Sequence, residues 1–338
     1  MKVWLMPIEP LVERYSADWL RWWPADLRAS GVEVEVVEGV QSRGDIGVGQ
    51  FLDAVDTMRY KATQVDKLLA SISRIEPDDV VLFLDGWNPA VEMLAYARQL
   101  TGRTFRIECL MHAGTWDAWD HITQRGLRSW AKQSELSWFR IYDAVYVATQ
   151  FHRQLIHYYV NDAAISNKLV VHPFPLKASE LAQYRLPWNQ RARRVVFPHR
   201  IAPEKVPHAW DDIVREYRRV YGDSDAEFIR TKDVARTKAE YYALLGSSKC
   251  AVSTARQETW GIAMLESLAC GARPVAPTRL SYPETMQGFK LYTSISDAVS
   301  CVRAALDEDC APSDATLGVW ESAIYKFATM LLARSRKC

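Results

Sequence analysis

The sequence lacks the residue patterns that mark several large protein classes. Its six cysteines are scattered, with no CxxC pair and no cysteine–histidine cluster at the spacing of a zinc site. It contains no uninterrupted run of about 18 apolar residues, and its first residues, MKVWLMPIEP, lack the apolar stretch and cleavage site of a signal peptide. We therefore predict reduced thiols, no contact with a membrane and a cytoplasmic location.

Length and charge narrow the remaining possibilities. The chain has 338 residues, of which 49% are hydrophobic and 25% are charged, and its formal net charge is +1. Neither a fixed-period repeat nor a low-complexity tract is visible, so we expect a globular protein of two domains, each of roughly 150 residues. Since the charges almost cancel, binding of a polyanion would depend on a local stripe of basic residues.

Apolar runs of strand length alternate with longer helical patterns along the whole chain, which is typical of α/β domains with parallel sheets. In the first half the pattern predicts strands at 2–6, 32–37, 80–84, 105–111, 144–148 and 168–172, with helices at 11–30, 51–75 and 90–101. Residues 172–194 contain three prolines and no clear period, as expected of a connection between domains.

A second α/β set follows this connection. Its pattern predicts strands at 194–198, 226–230, 250–253 and 274–276, and helices at 207–221, 237–246, 260–270 and 317–333. We predict a doubly wound domain at 1–178, a second one at 190–312, and a helix within 313–338 that packs back on the first domain. Two such domains facing each other would bind ligands in a cleft at the carboxyl ends of their strands.

The stretch ETWGIAMLE, residues 258–266, places two glutamates on either side of a helix start. Glu258 lies in the preceding loop and Glu266 on the second turn, while Thr259, Trp260 and Gly261 lead into the helix. Free backbone N–H groups at a helix N-terminus attract a phosphate, and a glycine lets a ligand approach the backbone. Carboxylates flanking a phosphate suit hydroxyl groups, so the stretch favours a nucleotide sugar.

Two cations follow the first strand of the second domain, in the sequence VVFPHRIAPEKVP at 195–207. Arg200 and Lys205 would lie at a strand's carboxyl end, where they suit a diphosphate that gains charge when it leaves. Each alone would be an ordinary surface residue, and Glu258 alone an ordinary solvated charge. Their combination within one domain favours the functional interpretation.

These motifs together resemble the donor half of retaining GT-B glycosyltransferases of the family 4 type. The likeness lies in Arg-x4-Lys after a strand and Glu-x7-Glu at a loop–helix junction before CGARPVA. It implies that Arg200 and Lys205 bind the donor diphosphate, Glu258 the sugar and Glu266 the ribose, with Arg230 near the base. It also implies metal-independent transfer of a hexose or pentose, with no cofactor beyond the sugar nucleotide, for which we favour a UDP-sugar over a GDP-sugar.

The first domain departs from that family, because residues 6–24 contain no glycine where many relatives have a glycine-rich loop. This opening resembles glycosyltransferase-like proteins of bacteriophages. Three side chains in or near it are candidates for substrate contact, namely Glu9, Arg14 and Tyr15. Relatives often carry a histidine where His112 ends a strand, so we predict that His112 acts in catalysis beside the transferred sugar.

The segment after His112 supplies candidates for the acceptor site. Trp116 and Asp117 are candidate acceptor contacts, and Asp117 or Asp120 would orient the nucleophilic hydroxyl. A metal site made of His112, Asp117, Asp120 and His121 is the alternative, but nothing fixes its geometry, and we predict no metal.

Cations and tryptophans interleave in the next residues, which suits a nucleic acid with an unstacked base. The residues concerned are Trp116, Trp119, Arg125, Arg128, Trp130, Lys132, Arg140 and Arg153. A solvated helix face is the simpler interpretation. With the phage-like opening, our leading hypothesis is a hydroxymethylated pyrimidine of phage DNA as acceptor, in the host cytoplasm. A saccharide acceptor, a nucleotide-sugar epimerase and a catalytically silent binding protein remain alternatives.

Overall fold

The computed structural model describes residues 1–11, 14–41 and 53–335, so residues 12–13 and 51–52 of two predicted helices lie outside the described residues. The chain divides into two compact units. The N-terminal unit comprises Met1–Phe174 with Ala323–Cys338, and the C-terminal unit is Pro175–Ser322. The sequence pattern predicts the first boundary between 178 and 190 and the second at 312, whereas the structure has them after Phe174 and after Ser322.

The first part of the chain forms six strands and seven helices within the described residues. In chain order they are β1 (Lys2–Met6), α1 (Tyr15–Ala29), β2 (Glu33–Val36), α2 (Ala54–Ala70), β3 (Val80–Phe83), α3 (Val91–Leu100), β4 (Arg106–Leu110), α4 (His121–Gln124), α5 (Arg128–Ile141), β5 (Ala144–Val147), α6 (Gln150–Val160), α7 (Ala163–Ser166) and β6 (Leu169–Val171).

The second part follows the same alternation. Its elements are α8 (Ala178–Leu181), β7 (Ala192–Phe197), α9 (Pro207–Tyr221), β8 (Glu227–Arg230), α10 (Thr231–Val234), α11 (Lys238–Gly246), β9 (Ser248–Val252), α12 (Ile262–Ala269), β10 (Arg273–Pro277), α13 (Tyr282–Thr285), β11 (Leu291–Tyr292), α14 (Ile295–Asp307), α15 (Gly318–Glu321) and α16 (Ala323–Ser335).

The strands of each unit form one fully parallel sheet. The order is β2-β1-β3-β4-β5-β6 in the N-terminal unit and β11-β10-β9-β7-β8 in the C-terminal unit. Central strands such as β3 and β5 are buried along their whole length, because helices cover both faces of a parallel sheet. This explains why they are continuous apolar runs in the sequence, and the predicted α/β class is confirmed.

Each predicted strand is present, whereas several predicted helices differ from the structure. Within the described residues, the helix predicted at 11–30 begins only at Tyr15, and the one predicted at 51–75 ends at Ala70, before a separate 3₁₀ turn at Ile72–Arg74. The helix predicted at 260–270 begins only at Ile262, because Gly261 has a φ of 84°, outside the helical region. The helix predicted at 317–333 is interrupted at Ser322, where α15 ends and α16 follows.

Helix α16 belongs to the N-terminal unit although it is far from it in sequence. Phe327 packs edge-on against Trp23 and Tyr146, at ring-centroid distances of 5.2 and 4.9 Å. A ring nitrogen of His172 lies 3.0 Å from the carbonyl oxygen of Ala323, and Arg334 donates to the hydroxyl of Tyr146. These contacts bury one face of α16 against α1 and the β5–β6 side of the sheet.

Candidate functional site

Each sheet has a topological switch point, where the chain changes the direction in which it adds strands. It lies between β1 and β3 in the N-terminal unit and between β7 and β9 in the C-terminal unit. Ligands of open α/β sheets bind outside the carboxyl ends of the strands at such points. The predicted site residues Glu9, Arg200 and Glu258 all lie in loops that leave these strand ends.

In the C-terminal unit, Lys205 and Glu258 form a nearly buried ion pair. The Lys205 ammonium lies 3.1 Å from Oε2 of Glu258 and donates to the carbonyl oxygen of Gln257 at 2.8 Å. The exposed fractions of the two side chains are only 9% and 13%. Lys205 ends a short 3₁₀ turn, Pro203–Lys205, that the loop after β7 forms before α9. Two residues 53 positions apart are thus brought together at the switch point.

Glu258 also contacts the backbone immediately before helix α12. Its Oε1 accepts a hydrogen bond from the backbone N–H of Gly261 at 3.0 Å. Burial disfavours the charged form, but the charge of Lys205 and this N–H outweigh it, so the pKa of Glu258 is below its usual value. Of the other residues predicted at this helix start, Thr259 is buried, and Trp260 is buried against Trp320.

Arg200 meets a different carboxylate. Its guanidinium donates to Oε1 of Glu204 through Nε, at 3.0 Å, and through Nη2. The Glu204 side chain is 13% exposed, and its backbone carbonyl accepts the N–H of Arg256. The loop therefore holds an acidic group between its two cations, and a bound diphosphate would compete with Glu204 for Arg200.

Glu266 lies on the second turn of α12, and two tyrosines of α11 donate to it. The hydroxyl of Tyr242 is 2.9 Å from Oε1, and that of Tyr241 is 3.2 Å from Oε2. Arg230 ends β8, as predicted, and its side chain forms an ion pair with Asp211 of α9.

A buried chain of hydrogen bonds supports the same switch point. His199, beside Arg200, lies 2.7 Å from the hydroxyl of Ser253, which lies 2.6 Å from the hydroxyl of Tyr282. Burial, and secondly the charge of Lys205, lower the pKa of His199 to about 3, so its imidazole is neutral at pH 7. This chain ties the loops after β7 and β9 to helix α13.

In the N-terminal unit, the central ion pair joins Lys61 of α2 to Asp85, which follows β3. The Lys61 ammonium is 2.8 Å from Oδ2 of Asp85 and also donates to the carbonyl oxygen of Trp87. The other Asp85 oxygen accepts the backbone N–H of Trp87 at 3.1 Å. Burial opposes ionisation of Asp85, but the nearby charge of Lys61 outweighs it and keeps the pKa below its usual value.

His112 follows β4 at the same sheet edge and lies among aromatic rings. Its Nε2 is 2.8 Å from the carbonyl oxygen of Leu84, so this nitrogen carries the proton, because a carbonyl only accepts. Its Nδ1 lies 3.4 Å from the hydroxyl of Tyr15, and its ring is 5.2 and 5.0 Å from those of Trp19 and Phe174. Burial lowers the pKa of His112, so the imidazole acts as a neutral group.

Glu9 follows β1 and is 5% exposed. Its Oε2 accepts a hydrogen bond from Thr57 of α2 at 2.7 Å, whereas Oε1 has no hydrogen-bond partner among the described residues. Arg14 immediately precedes α1 and its backbone N–H bonds the carbonyl oxygen of Leu11. A buried carboxylate oxygen at a switch point is a candidate acceptor for a substrate hydroxyl.

The other acceptor candidates have structural contacts. Trp116 is 4% exposed, with Lys132 over its ring at 4.9 Å, so it is a core residue and not an open stacking surface. Asp117 accepts the N–H of Trp119 at 2.8 Å, and Asp120 caps α4 through the N–H of Ile122 at 2.9 Å. The exposed aromatic side chain of this region is Trp130, with 55% exposure.

Within residues 1–11, 14–41 and 53–335, no group of three or more histidine, cysteine, aspartate or glutamate side chains is arranged to hold a metal ion. In the same part of the chain, no helix combines the length and the apolar character that a membrane span requires. His121 contacts the adjacent Asp120 at 3.6 Å.

Several residues of these clusters were absent from the sequence prediction. Asp85 follows a strand directly, within LFLDGWNP, so its position at a strand end was a usable signal. Lys61, Glu204 and Tyr241 carried no such signal, because nothing local distinguishes them from solvated or packed residues of a loop or helix.

Comparisons with known proteins give the fold a wider context. No model of a known protein family matches the sequence. Over 86 residues the chain is 30% identical to a tRNA-queuosine alpha-mannosyltransferase from Drosophila melanogaster. The match covers 25% of this chain and 22% of that protein, so it spans about a fifth of the relative's length.

Solved structures align over nearly the whole chain. Sucrose-phosphate synthase from Thermosynechococcus elongatus has 13% identity and a TM-score of 0.63, covering 100% of this chain and 97% of its own. The catalytic domain of starch synthase IV from Arabidopsis thaliana, bound to ADP and acarbose, has 12% identity and a TM-score of 0.60, covering 99% of both chains. At such identities the likeness shows the fold alone. The chain has the GT-B fold of two parallel-sheet α/β domains.

Proposed function

We propose that this protein is a glycosyltransferase that moves a sugar from a nucleoside-diphosphate sugar to a hydroxyl group of an acceptor. The observation that carries the proposal is the buried pair of Lys205 and Glu258 at the switch point of the C-terminal sheet, at the start of α12. A cation, a carboxylate and a helix N-terminus at one point match a ligand that carries both phosphate and hydroxyl groups. The GT-B fold supports this assignment.

In this proposal Lys205 and Arg200 stabilise the diphosphate as it leaves. The leaving group gains negative charge in the transition state, and fixed cations at a strand end reduce that cost without reorganisation. Arg200 exchanges its Glu204 contact for a phosphate oxygen when the donor binds. Glu258 accepts from sugar hydroxyls and Glu266 from the ribose. The resemblance to family 4 extends the proposal to retention of the anomeric configuration, to independence of metal ions and to a UDP-sugar.

The N-terminal unit supplies the groups proposed for the acceptor and the transferred sugar. His112, as a neutral Nε2–H imidazole, accepts a hydrogen bond from a sugar hydroxyl at Nδ1, where that hydroxyl replaces the contact with Tyr15. Asp85 and Glu9, both at strand ends of the same switch point, orient the attacking hydroxyl.

For the acceptor we propose a nucleic acid whose modified base carries a hydroxyl group, with a hydroxymethylated pyrimidine of phage DNA as the leading candidate. The exposed ring of Trp130 lies edge-on to that of Trp87 at 6.3 Å, and the carbonyl oxygen of Trp87 accepts from Lys61. Trp130 can therefore stack an unpaired base close to the Lys61–Asp85 ion pair, as exposed aromatic side chains do in other proteins that bind single-stranded nucleic acids. Arg128 and Lys132 lie on the same helix, where they suit a phosphate backbone.

The partial match to a tRNA-queuosine alpha-mannosyltransferase also favours a nucleic-acid acceptor. A modified base of RNA is therefore tested as an alternative acceptor, and so are saccharides. If a phage encodes the chain, the reaction takes place in the cytoplasm of the host.

The test combines the purified protein with UDP-, GDP- and ADP-sugars. Each donor is incubated alone and with hydroxymethylated DNA, unmodified DNA, tRNA or a saccharide, in the presence and absence of EDTA. Mass spectrometry detects the transferred sugar, and NMR of the product reports the anomeric configuration.

Transfer that depends on an added acceptor is the expected result. Isomerisation of the sugar without any acceptor would instead identify an epimerase. If no sugar nucleotide is turned over and none stabilises the protein, the proposal is overturned in favour of a catalytically silent binding protein.

A further inference from the structure

Two consecutive tyrosines hold both oxygens of the Glu266 carboxylate. Tyr242 donates to Oε1 at 2.9 Å and Tyr241 contacts Oε2 at 3.2 Å. Glu266 is 8% exposed, so its charge depends on such hydrogen bonds for stabilisation. We call these three residues the tyrosine clamp.

The start of helix α11 explains why both hydroxyls reach one carboxylate. Thr237 and Glu240 form a reciprocal capping box that determines where the helix begins. Adjacent helical residues point about 100° apart, so Tyr241 and Tyr242 approach Glu266 from two directions.

Further contacts restrict both tyrosine rings. Tyr242 packs against Tyr184 at 5.4 Å, with Lys238 over its ring at 5.6 Å. Tyr241 lies 3.4 Å from the carbonyl oxygen of Pro198, which follows β7. The clamp therefore connects α11 and α12 to the loop that carries Arg200.

The hydroxyl of Tyr241 remains a protonated donor under ordinary conditions. Burial, and secondly the Glu266 charge, raise the pKa of Tyr241 well above its usual value. A donor on each oxygen opposes rotation of the carboxylate about its terminal bond, because rotation would break both hydrogen bonds. A carboxylate offers about four acceptor positions, so a tyrosine and a ligand hydroxyl can bond to the same oxygen.

We propose that the tyrosine clamp makes Glu266 selective for the vicinal diol of a ribonucleotide over a 2′-deoxyribonucleotide. A carboxylate held in one orientation matches two neighbouring hydroxyls, one at each oxygen. A deoxyribose offers one hydroxyl and makes one hydrogen bond fewer to the oriented carboxylate, and sites built for a hydroxyl reject analogues that lack it. This inference rests on the proposed function, because it assumes that a sugar nucleotide binds here.

The experiment measures nucleoside diphosphate binding by calorimetry. The wild-type protein is first titrated with UDP, GDP, ADP and CDP, and the nucleotide that binds is then compared with its 2′-deoxy counterpart. The variants are Tyr241→Phe, Tyr242→Phe and the double variant. Tyr217→Phe is the matched control, because it removes a different tyrosine hydroxyl, bonded to Asp225, from the same unit.

We expect the wild-type protein and Tyr217→Phe to prefer the ribonucleotide by about tenfold or more. The double variant should lose most of this preference, and each single variant a part of it. A merely structural role would weaken both nucleotides equally and leave their ratio unchanged, which would overturn the inference. Equal binding of both nucleotides by the wild-type protein would overturn it as well.

The same titrations separate this inference from the proposed function. If no nucleoside diphosphate binds the wild-type protein, the proposed function fails and the inference with it. If the ribonucleotide binds but the ratio does not depend on the tyrosines, only the inference fails. Circular dichroism of each variant verifies folding, and an unfolded double variant leaves the two single variants as the deciding measurement.

Discussion

The ammonium group of Lys205 lies 3.1 Å from a carboxylate oxygen of Glu258, and 53 residues separate the two in the sequence. The same carboxylate accepts the backbone N–H of Gly261, the residue that immediately precedes helix α12. The ion pair and this hydrogen bond together hold Glu258 at the switch point between β7 and β9.

Replacement of either cation should reduce turnover more than donor affinity. Lys205→Ala and Arg200→Ala should each lower kcat at least about a hundredfold, because the diphosphate gains charge in the transition state. Steady-state kinetics with the identified donor check this. Arg215→Ala is the control, since Arg215 is 75% exposed and pairs only with Asp212 among the contacts described. A change confined to KM would contradict the assignment.

Loss of Glu266 should weaken donor binding. Glu266→Ala removes the carboxylate predicted to bind the ribose, together with its hydrogen bonds from Tyr241 and Tyr242. We expect a loss of about 1 to 3 kcal/mol in nucleotide binding free energy, measured by calorimetry. Glu216→Ala on the surface of α9 should leave binding as it is, and unchanged affinity of Glu266→Ala would refute the ribose role.

The hydroxyl of Thr254 should stabilise the backbone that carries Lys205. It donates to the carbonyls of Lys205 and Val206 at 2.8 and 3.1 Å, and Val206 has a φ of 51°, which is strained for a β-branched residue. Thr254→Val should lower the free energy of unfolding by about 1 to 2 kcal/mol, whereas Thr254→Ser keeps the hydroxyl and most of the stability. Urea unfolding measures both, and equal losses would argue against the hydrogen bond.

Acid should destabilise the protein below neutral pH through its buried histidines. Burial lowers the pKa of His199 to about 3 and that of His172 to about 4, whereas the unfolded chain has ordinary imidazoles near 6.5. The unfolded state therefore binds protons first, and this contribution to stability is present above pH 6.5 and is lost as the pH falls toward these values.

Urea midpoints from pH 7.5 to 4.5 measure this loss. His199→Asn keeps a polar group beside Ser253 and should reduce the pH dependence over this range. If the urea midpoint depends on pH equally in the variant and the wild type, His199 is excluded as a source of the pH dependence.

Trp130 should contribute to binding of the nucleic-acid acceptor and not to binding of the donor. Trp130→Ala should weaken nucleic-acid binding by about 1 to 3 kcal/mol if a base stacks on the ring, without effect on nucleotide-diphosphate affinity. Fluorescence anisotropy with labelled single-stranded DNA and tRNA measures the change. Tyr158→Ala removes another aromatic ring, 77% exposed, from the N-terminal unit and is the control. Equal losses in both variants would remove the support for stacking.

Local pattern was sufficient for much of the fold. The buried strands of a parallel sheet are short apolar runs, and the capping box at Thr237 and Gly271 after α12 mark helix ends within a few residues. The interruption at Ser322 could not be predicted, because the amphipathic pattern continues through it, and only the structure shows α15 ending there and α16 packing on Trp23 and Tyr146.

The sequence by itself determined the parallel α/β class and the strand ends at which Arg200, Lys205, Glu258 and His112 lie, because these depend on periodicity and on residues close in the chain. Only the tertiary structure decided which distant groups meet: Lys205 with Glu258, Lys61 with Asp85, and two tyrosines with Glu266. Such pairs depend on strand order and helix packing, which bring distant residues together, and no local pattern specifies them.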